Sequence, residues 1–167
     1  MSKPSSIKAC VEQIRLQDIH FNVLVNNAGI SMVQTYTEAS TGLELTCQTN
    51  YFGMVQLTEL LVPLLRDDPR VILVSSVTYP QGAPSVFDRE HLCVDREHYG
   101  PFKSYFRSKY LLTSYSQYLT RHNPQLYVVV CDPGVAATSI ARELGCIGKI
   151  YHWGIFQMLI PTWKVGE

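Results

Sequence analysis

These 167 residues contain no CxxC pair, no G-x-G pair, no block of like charge and no internal repeat. The five cysteines (Cys10, Cys47, Cys93, Cys131, Cys146) are odd in number and irregularly spaced. That pattern supports neither a disulfide framework nor a zinc ribbon, and predicts reduced thiols in an intracellular protein. Cys47 and Cys131 read as small buried apolar side chains. His20, His91, His98, His122 and His152 lack ligand spacing, so no metal is expected. Fourteen basic and fourteen acidic residues cancel to a net charge of zero, which excludes a basic footprint for nucleic acid. The longest apolar stretch toward the end, residues 150–163, is broken by His152, Gln157 and Pro161 and is too short to span a bilayer. It suits an amphipathic flap facing lipid or substrate. What remains, 46% hydrophobic and 11% aromatic, is enough to build the core of one domain over residues 1–167.

Helical and strand patterns alternate along the chain. Ser5 or Ser6 can cap a first helix carrying Ile7, Val11 and Ile14. Residues 21–25 (FNVLV) read as a strand that ends at Asn26-Asn27-Ala28-Gly29. A long helical pattern follows over 37–65, broken by Arg66-Asp67-Asp68-Pro69. Residues 71–74 (VILV) form a second strand ending in Ser75-Ser76, and 78–102 read as a long loop. A helix over 103–121 precedes a third strand, 126–131 (LYVVVC), closed by Asp132-Pro133-Gly134. This order predicts an α/β fold with right-handed crossovers in a parallel sheet. The strands are apolar without alternation, as in strands covered on both faces. In such sheets a ligand lies beyond the carboxyl ends of the strands. Three polar or glycine clusters meet at that edge.

Tyr105 and Lys109 are four residues apart in a helical segment and so share a face. A phenol with an ordinary pKa of about 10 is a poor base at neutral pH. A neighbouring ammonium lowers that value by roughly 1–3 pH units, making the pair a general acid/base. The spacing alone is weak. Tyr99 with Lys103 repeats it, but Gly100-Pro101 keeps that pair off one helix face. The plain alternative is an exposed face with a snorkelling lysine.

The wider order changes that balance. Asn26-Asn27-Ala28-Gly29 after a strand, Asn50 in a helix, Ser76 at a strand end, Tyr105-x-x-Ser108-Lys109 on a helix and Pro133-Gly134 after a strand resemble the short-chain dehydrogenase/reductase family. The resemblance runs from about residue 18 to the end. It implies a Rossmann-like doubly wound parallel sheet and an oxidoreductase interconverting an alcohol and a carbonyl. Tyr105 would be the acid/base, and Lys109 would hold the nicotinamide ribose and lower the tyrosine pKa. Ser76 would orient the substrate carbonyl. Asn50 would kink its helix and hold a relay water. Asn26, Ala28 and Gly29 match the turn bordering the adenosine side of the cofactor. Pro133, Gly134 and Thr138 match the segment contacting the nicotinamide and phosphates. The long interval between Ser76 and Tyr105, with Phe87-Asp88, is similar to the retinol-dehydrogenase-like group. Asn50-Tyr51-x-Gly53 and residues 132–135 are similar to its X-linked member, which handles long isoprenoid alcohols. A hydrophobic, lipid-like substrate (retinoid, steroid or isoprenoid) is therefore expected.

The family's glycine-rich turn after a first strand, which receives the pyrophosphate, has no counterpart here. The fold is therefore expected to be incomplete, lacking the N-terminal β-α-β half and the C-terminal strand, which residues 164–167 do not reach. The expected cofactor is NADP or NAD, with NADP favoured, and the chain alone is expected to turn over weakly or not at all. The resemblance also implies pairing of helices 37–65 and 103–121 across a two-fold axis. An alternative is thus a non-catalytic form that docks on a full-length partner. Epimerase or dehydratase chemistry also occurs in the family. Relatives sit at the endoplasmic reticulum, so the expected place is intracellular, cytoplasmic or at that membrane surface.

Overall fold

Three parallel strands in the order β1-β2-β3 organise the chain: β1 (Phe21–Asn26), β2 (Leu65–Val74) and β3 (Tyr127–Cys131). The structure, a computed structural model, describes residues 1–85 and 92–134. Thr138, Cys146, Phe87-Asp88, the flap at 150–163 and residues 164–167 lie outside the described residues. Register runs Leu24–Val71–Val128 and Val25–Ile72–Val129. Val71 and Leu73 are fully buried and join Met54, Leu65, Leu112, Tyr115, Leu119 and Leu126 in the core. That face of the sheet packs on α3 (Gly53–Leu61) and α4 (Pro101–His122).

The opposite face differs from expectation. Val23, Val25, Tyr127 and Val129 are 40%, 53%, 71% and 45% exposed. An apolar strand tolerates cover on both faces, but among the described residues only one face has it.

The helices start where capping dictates. α1 (Pro4–Leu16) has Lys3 as its N-cap and Pro4 in its first turn, and neither Ser5 nor Ser6 caps it. The Ser6 hydroxyl instead donates to the Lys3 carbonyl at 2.8 Å. The helix expected from residue 37 begins only at α2 (Leu45–Cys47), because Ser40, Thr41 and Gly42 turn the chain and Gly42 has φ +80°. Its N-cap is Glu44. A π-helical turn (Gln48–Phe52) and a 3₁₀ turn (Val62–Leu64) flank α3, and Leu65 already belongs to β2. The expected break at Asp67-Asp68-Pro69 is a bulge inside β2. Both aspartates take positive φ, and the register jumps from Phe21–Leu65 to Val23–Arg70. α4 starts at Pro101, which stands at N1 after an extended Gly100.

The expectation of reduced thiols fails for one pair. Cys47 in α2 and Cys93 form a disulfide with a Cα–Cα distance of 6.0 Å. Cys10 is free and exposed, and Cys131 is free and only half-buried. A second tie fixes the 3₁₀ turn Tyr79–Gly82 on α4, where a Cβ on Gly82 would run into the Phe106 carbonyl. The buried Arg107 guanidinium holds the same turn, donating to the Gly82 carbonyl at 2.6 Å.

Candidate active site

Tyr105 lies in the second turn of α4, with Lys109 one turn further on. The Lys109 Nζ sits 5.7 Å from the Tyr105 ring centroid and donates to the Val74 carbonyl at 2.7 Å. Lys109 is 4% exposed, and burial pulls its pKa down to about 8. The phenol is also shifted, but upward. Burial is the main cause, with Asp132 adding to it, while hydrogen bonding with the Ser76 side chain acts the other way. The expected lowering of Tyr105 by Lys109 is therefore not found. The ammonium faces the ring and a carbonyl, and desolvation of the phenolate dominates. The helical spacing does place both groups on one face.

Ser76 follows β2 by two residues. Its Oγ shares a hydrogen bond with Thr78 Oγ1 at 2.8 Å and accepts the Thr78 N–H at 3.3 Å. Ser75 points inward, bonded to Thr113 at 2.7 Å. Asn50 occupies the π-helical turn and is 1% exposed. A π-helical turn is a rare local irregularity that is frequent at functional sites. The Asn50 side chain is fully engaged. It accepts the Ile30 N–H at 2.9 Å and donates to the Ile30 carbonyl at 2.8 Å and to Ser108 Oγ at 3.1 Å. Ser108 in turn donates to the Tyr105 carbonyl at 2.7 Å. Asn50 thus joins the turn after β1 to the helix bearing Tyr105. Gly29 lets that turn approach, since a Cβ there would sit 3.2 Å from Asn50 Oδ1.

Asn26 lies at the end of β1, 2% exposed, and donates to Thr58 Oγ1 at 2.7 Å, while its Oδ1 is buried without a partner. Asn26 therefore ties the sheet to α3. Ala28 stands in the exposed part of the turn. Pro133 and Gly134 are exposed beyond β3, Gly134 with φ +71° and its N–H donating to Asp132 Oδ1 at 3.1 Å. Thr138 is outside the described residues. Ser76, Tyr105, Lys109 and Asp132 thus gather at the carboxyl end of the sheet, with Asn50 behind them. Ser108, Asp132 and Thr58 are participants the sequence reading gave no role. Ser108 lay inside the quoted Tyr-x-x-Ser-Lys motif, but its role needs Asn50, 58 residues away.

Chemically, a phenol and an ammonium on one helix face suit the hydroxyls of a ribose and an alcohol or carbonyl oxygen. No glycine-rich cradle for a pyrophosphate accompanies them among the described residues. Nor do three His, Cys, Asp or Glu side chains gather there as a metal site.

The sequence model of the short chain dehydrogenases matches residues 1–87. Polyprenol dehydrogenase of Homo sapiens is 28% identical over 94% of this chain and 50% of its own length. Retinol dehydrogenase 14 of Mus musculus is 28% identical over 83% of this chain and 41% of its own. The solved structure of a short-chain dehydrogenase/reductase from Saccharomyces cerevisiae superposes with a TM-score of 0.69 at 18% identity, covering 96% of this chain and 62% of that one. The fold is thus the Rossmann-like doubly wound sheet, present in part. The chain spans about half the length of the curated relatives it matches.

Proposed function

The chain belongs to the short-chain dehydrogenase family, in its retinol-dehydrogenase-like group, and on that premise we propose that it carries the proton-handling half of an NAD(P)-dependent oxidoreductase. The substrate class is a hydrophobic, lipid-like alcohol or carbonyl, as the polyprenol and retinol dehydrogenases suggest. The observation that carries this reading is the placement of Ser76, Tyr105 and Lys109 at one sheet edge, with Lys109 5.7 Å from the Tyr105 ring. Bound NADP or NAD would supply or accept the hydride. Tyr105 passes the proton at the substrate oxygen. A phenol is protonated at neutral pH even at its ordinary pKa, and burial shifts Tyr105 further the same way, so it begins as the acid toward a carbonyl. Ser76 donates to the same oxygen and stabilises its developing charge. Lys109 would hold the ribose, Asn50 fixes the helix bearing Tyr105, and Asn26, Ala28, Gly29, Pro133 and Gly134 would border the cofactor. The Cys47–Cys93 disulfide supports an oxidising place such as the endoplasmic reticulum lumen over the cytoplasm.

Because no pyrophosphate cradle accompanies these residues among the described ones, we expect weak nucleotide binding and little turnover by the 167-residue chain alone. Titration with NADPH and NADH, read by nicotinamide fluorescence, tests this. Saturable but weak binding, weakened further in Lys109→Ala, supports the reading. A folded chain that shows no binding at any concentration contradicts it. That result would favour the second reading, a form that docks on a longer relative. An open groove of about 520 Å³ between α3 and α4 speaks for docking. It is lined by Tyr51, Val55, Glu59, Leu111, Tyr115 and Tyr118, with Tyr115 donating to Glu59 at 2.6 Å. Co-purification with a full-length relative, lost on Tyr118→Glu, is the result that reading expects.

A further inference from the structure

We propose that Glu44 is a positioning residue for Tyr105, acting through Ser104; the inference rests on the site reading above. Glu44 is 1% exposed. Its Oε1 accepts the Thr46 N–H at 2.8 Å, and its Oε2 accepts the Cys47 N–H at 2.9 Å and the Ser104 hydroxyl. None of the salt bridges among the described residues involves it. Burying a carboxylate is costly unless its oxygens are hydrogen-bonded. As a helix cap it is an expensive choice, because Ser, Thr, Asn or Asp satisfies the same N–H groups with a shorter side chain. What the longer side chain adds is reach. From the N-cap of α2 it crosses to Ser104, in the first turn of α4 and one residue before Tyr105.

A second tie runs parallel to the first. Asn50, six residues after Glu44, donates to Ser108, and Ser108 donates to the Tyr105 carbonyl. Ser104 and Ser108 are four apart, so they lie above one another on one face of α4. Both are essentially fully buried. The body of α4 is held by its core packing and by the Gly82 turn, and the two serine ties act locally, on the turn that carries Tyr105. Spaced one turn apart and straddling Tyr105, they fix both the rotation and the height of that turn. The phenol is thereby held within reach of Ser76 beyond β2. A carboxylate beside the first turn of α4 also complements the positive end of the helix dipole.

The test separates capping from reach. Glu44→Asp keeps the charge and a good cap but falls short of Ser104 by one methylene. Ser104→Ala removes only the hydroxyl, and Ser104→Thr restores one. The readout is the ¹³Cζ signal of Tyr105 in chain labelled with ¹³C-tyrosine, assigned with Tyr105→Phe and followed from pH 8 to 12. Ser76 favours the ionised form of Tyr105, so moving the phenol away from it should lower the ionised-to-neutral ratio at pH 11 by about three- to tenfold. We expect that fall in Glu44→Asp and in Ser104→Ala, with return toward wild type in Ser104→Thr. Unchanged Tyr105 titration in both Glu44→Asp and Ser104→Ala would overturn the proposal, whatever happens to stability. The readout needs neither nucleotide nor turnover. A shifted titration without any nicotinamide binding would therefore leave the positioning role standing and remove only the oxidoreductase reading.

Discussion

Replacing Asn50 gives the sharpest stability test of the site's framework. Its amide makes three hydrogen bonds, two to the Ile30 backbone and one to Ser108. Ile30 is half-buried, so water repays part of what Asn50→Ala removes there. Ser108 keeps its bond to the Tyr105 carbonyl and is not orphaned. At about 1 kcal/mol for each lost bond, and somewhat more where a group is left without a partner, Asn50→Ala should cost about 2–4 kcal/mol. Asn50→Asp has nearly the same shape and is the more telling change. It keeps the acceptor for the Ile30 N–H but turns the donor that now meets the Ile30 carbonyl at 2.8 Å into a second oxygen. It also places a charge in a position only 1% exposed. Its cost should equal or exceed that of alanine. Urea unfolding with linear extrapolation measures both. If Asn50→Asp lies within about 0.5 kcal/mol of wild type, the claim that this side chain joins the β1 turn to α4 is wrong.

The pH dependence of stability should report Lys109. Burial lowers its pKa to about 8 from 10.5, so between those values the unfolded chain binds the proton that the folded chain has released. The Lys109 contribution to stability therefore rises from pH 8 toward pH 10.5, by about 3 kcal/mol when complete. Tyrosines whose pKa values burial raises (Tyr36, Tyr51, Tyr99, Tyr105, Tyr115) act the other way as pH nears 10, so the readout is the difference between wild type and Lys109→Met, and a difference in urea midpoint that does not grow across this range would refute the buried-ammonium account. Reduction of Cys47–Cys93, which are 46 residues apart, should cost about 4 kcal/mol by loss of loop closure in the unfolded chain. Thiol labelling of the folded chain should reach Cys10 and Cys131 but neither Cys47 nor Cys93 until reductant is added. Immediate labelling of Cys93 would contradict the disulfide.

The strands and α4 were legible because their signals are local. Short apolar runs end abruptly in Asn26, Ser75 and Asp132, although β2 begins six residues before its expected start, and the helix expected from residue 103 starts at Pro101. The start of α2 is not legible because Leu43 continues an apolar rhythm, which the turn at 40–42 and a glutamate cap override. Cover of the sheet is illegible for a different reason. Val23, Val25 and Val129 show what a strand can bury, and nothing in the pattern says which element lies over them. The Cys47–Cys93 bond and the Glu44–Ser104 tie join residues 46 and 60 apart, and no spacing rule anticipates either. Within the candidate site, motif spacing placed Ser76, Tyr105 and Lys109 together. It could not show that burial, and not the ammonium, sets the direction of the Tyr105 pKa shift. That balance depends on how deeply the folded chain buries the ring.

The most direct test of the central claim is hydride transfer at 340 nm. The protein to use is a chimera in which residues 1–134 replace the corresponding part of a full-length relative, assayed with that relative's own alcohol or carbonyl and compared with its Tyr105→Phe variant. The account predicts nicotinamide turnover by the chimera and a loss of at least about a hundredfold on removal of the Tyr105 hydroxyl. A folded, nucleotide-binding chimera whose turnover is unchanged by Tyr105→Phe would contradict it.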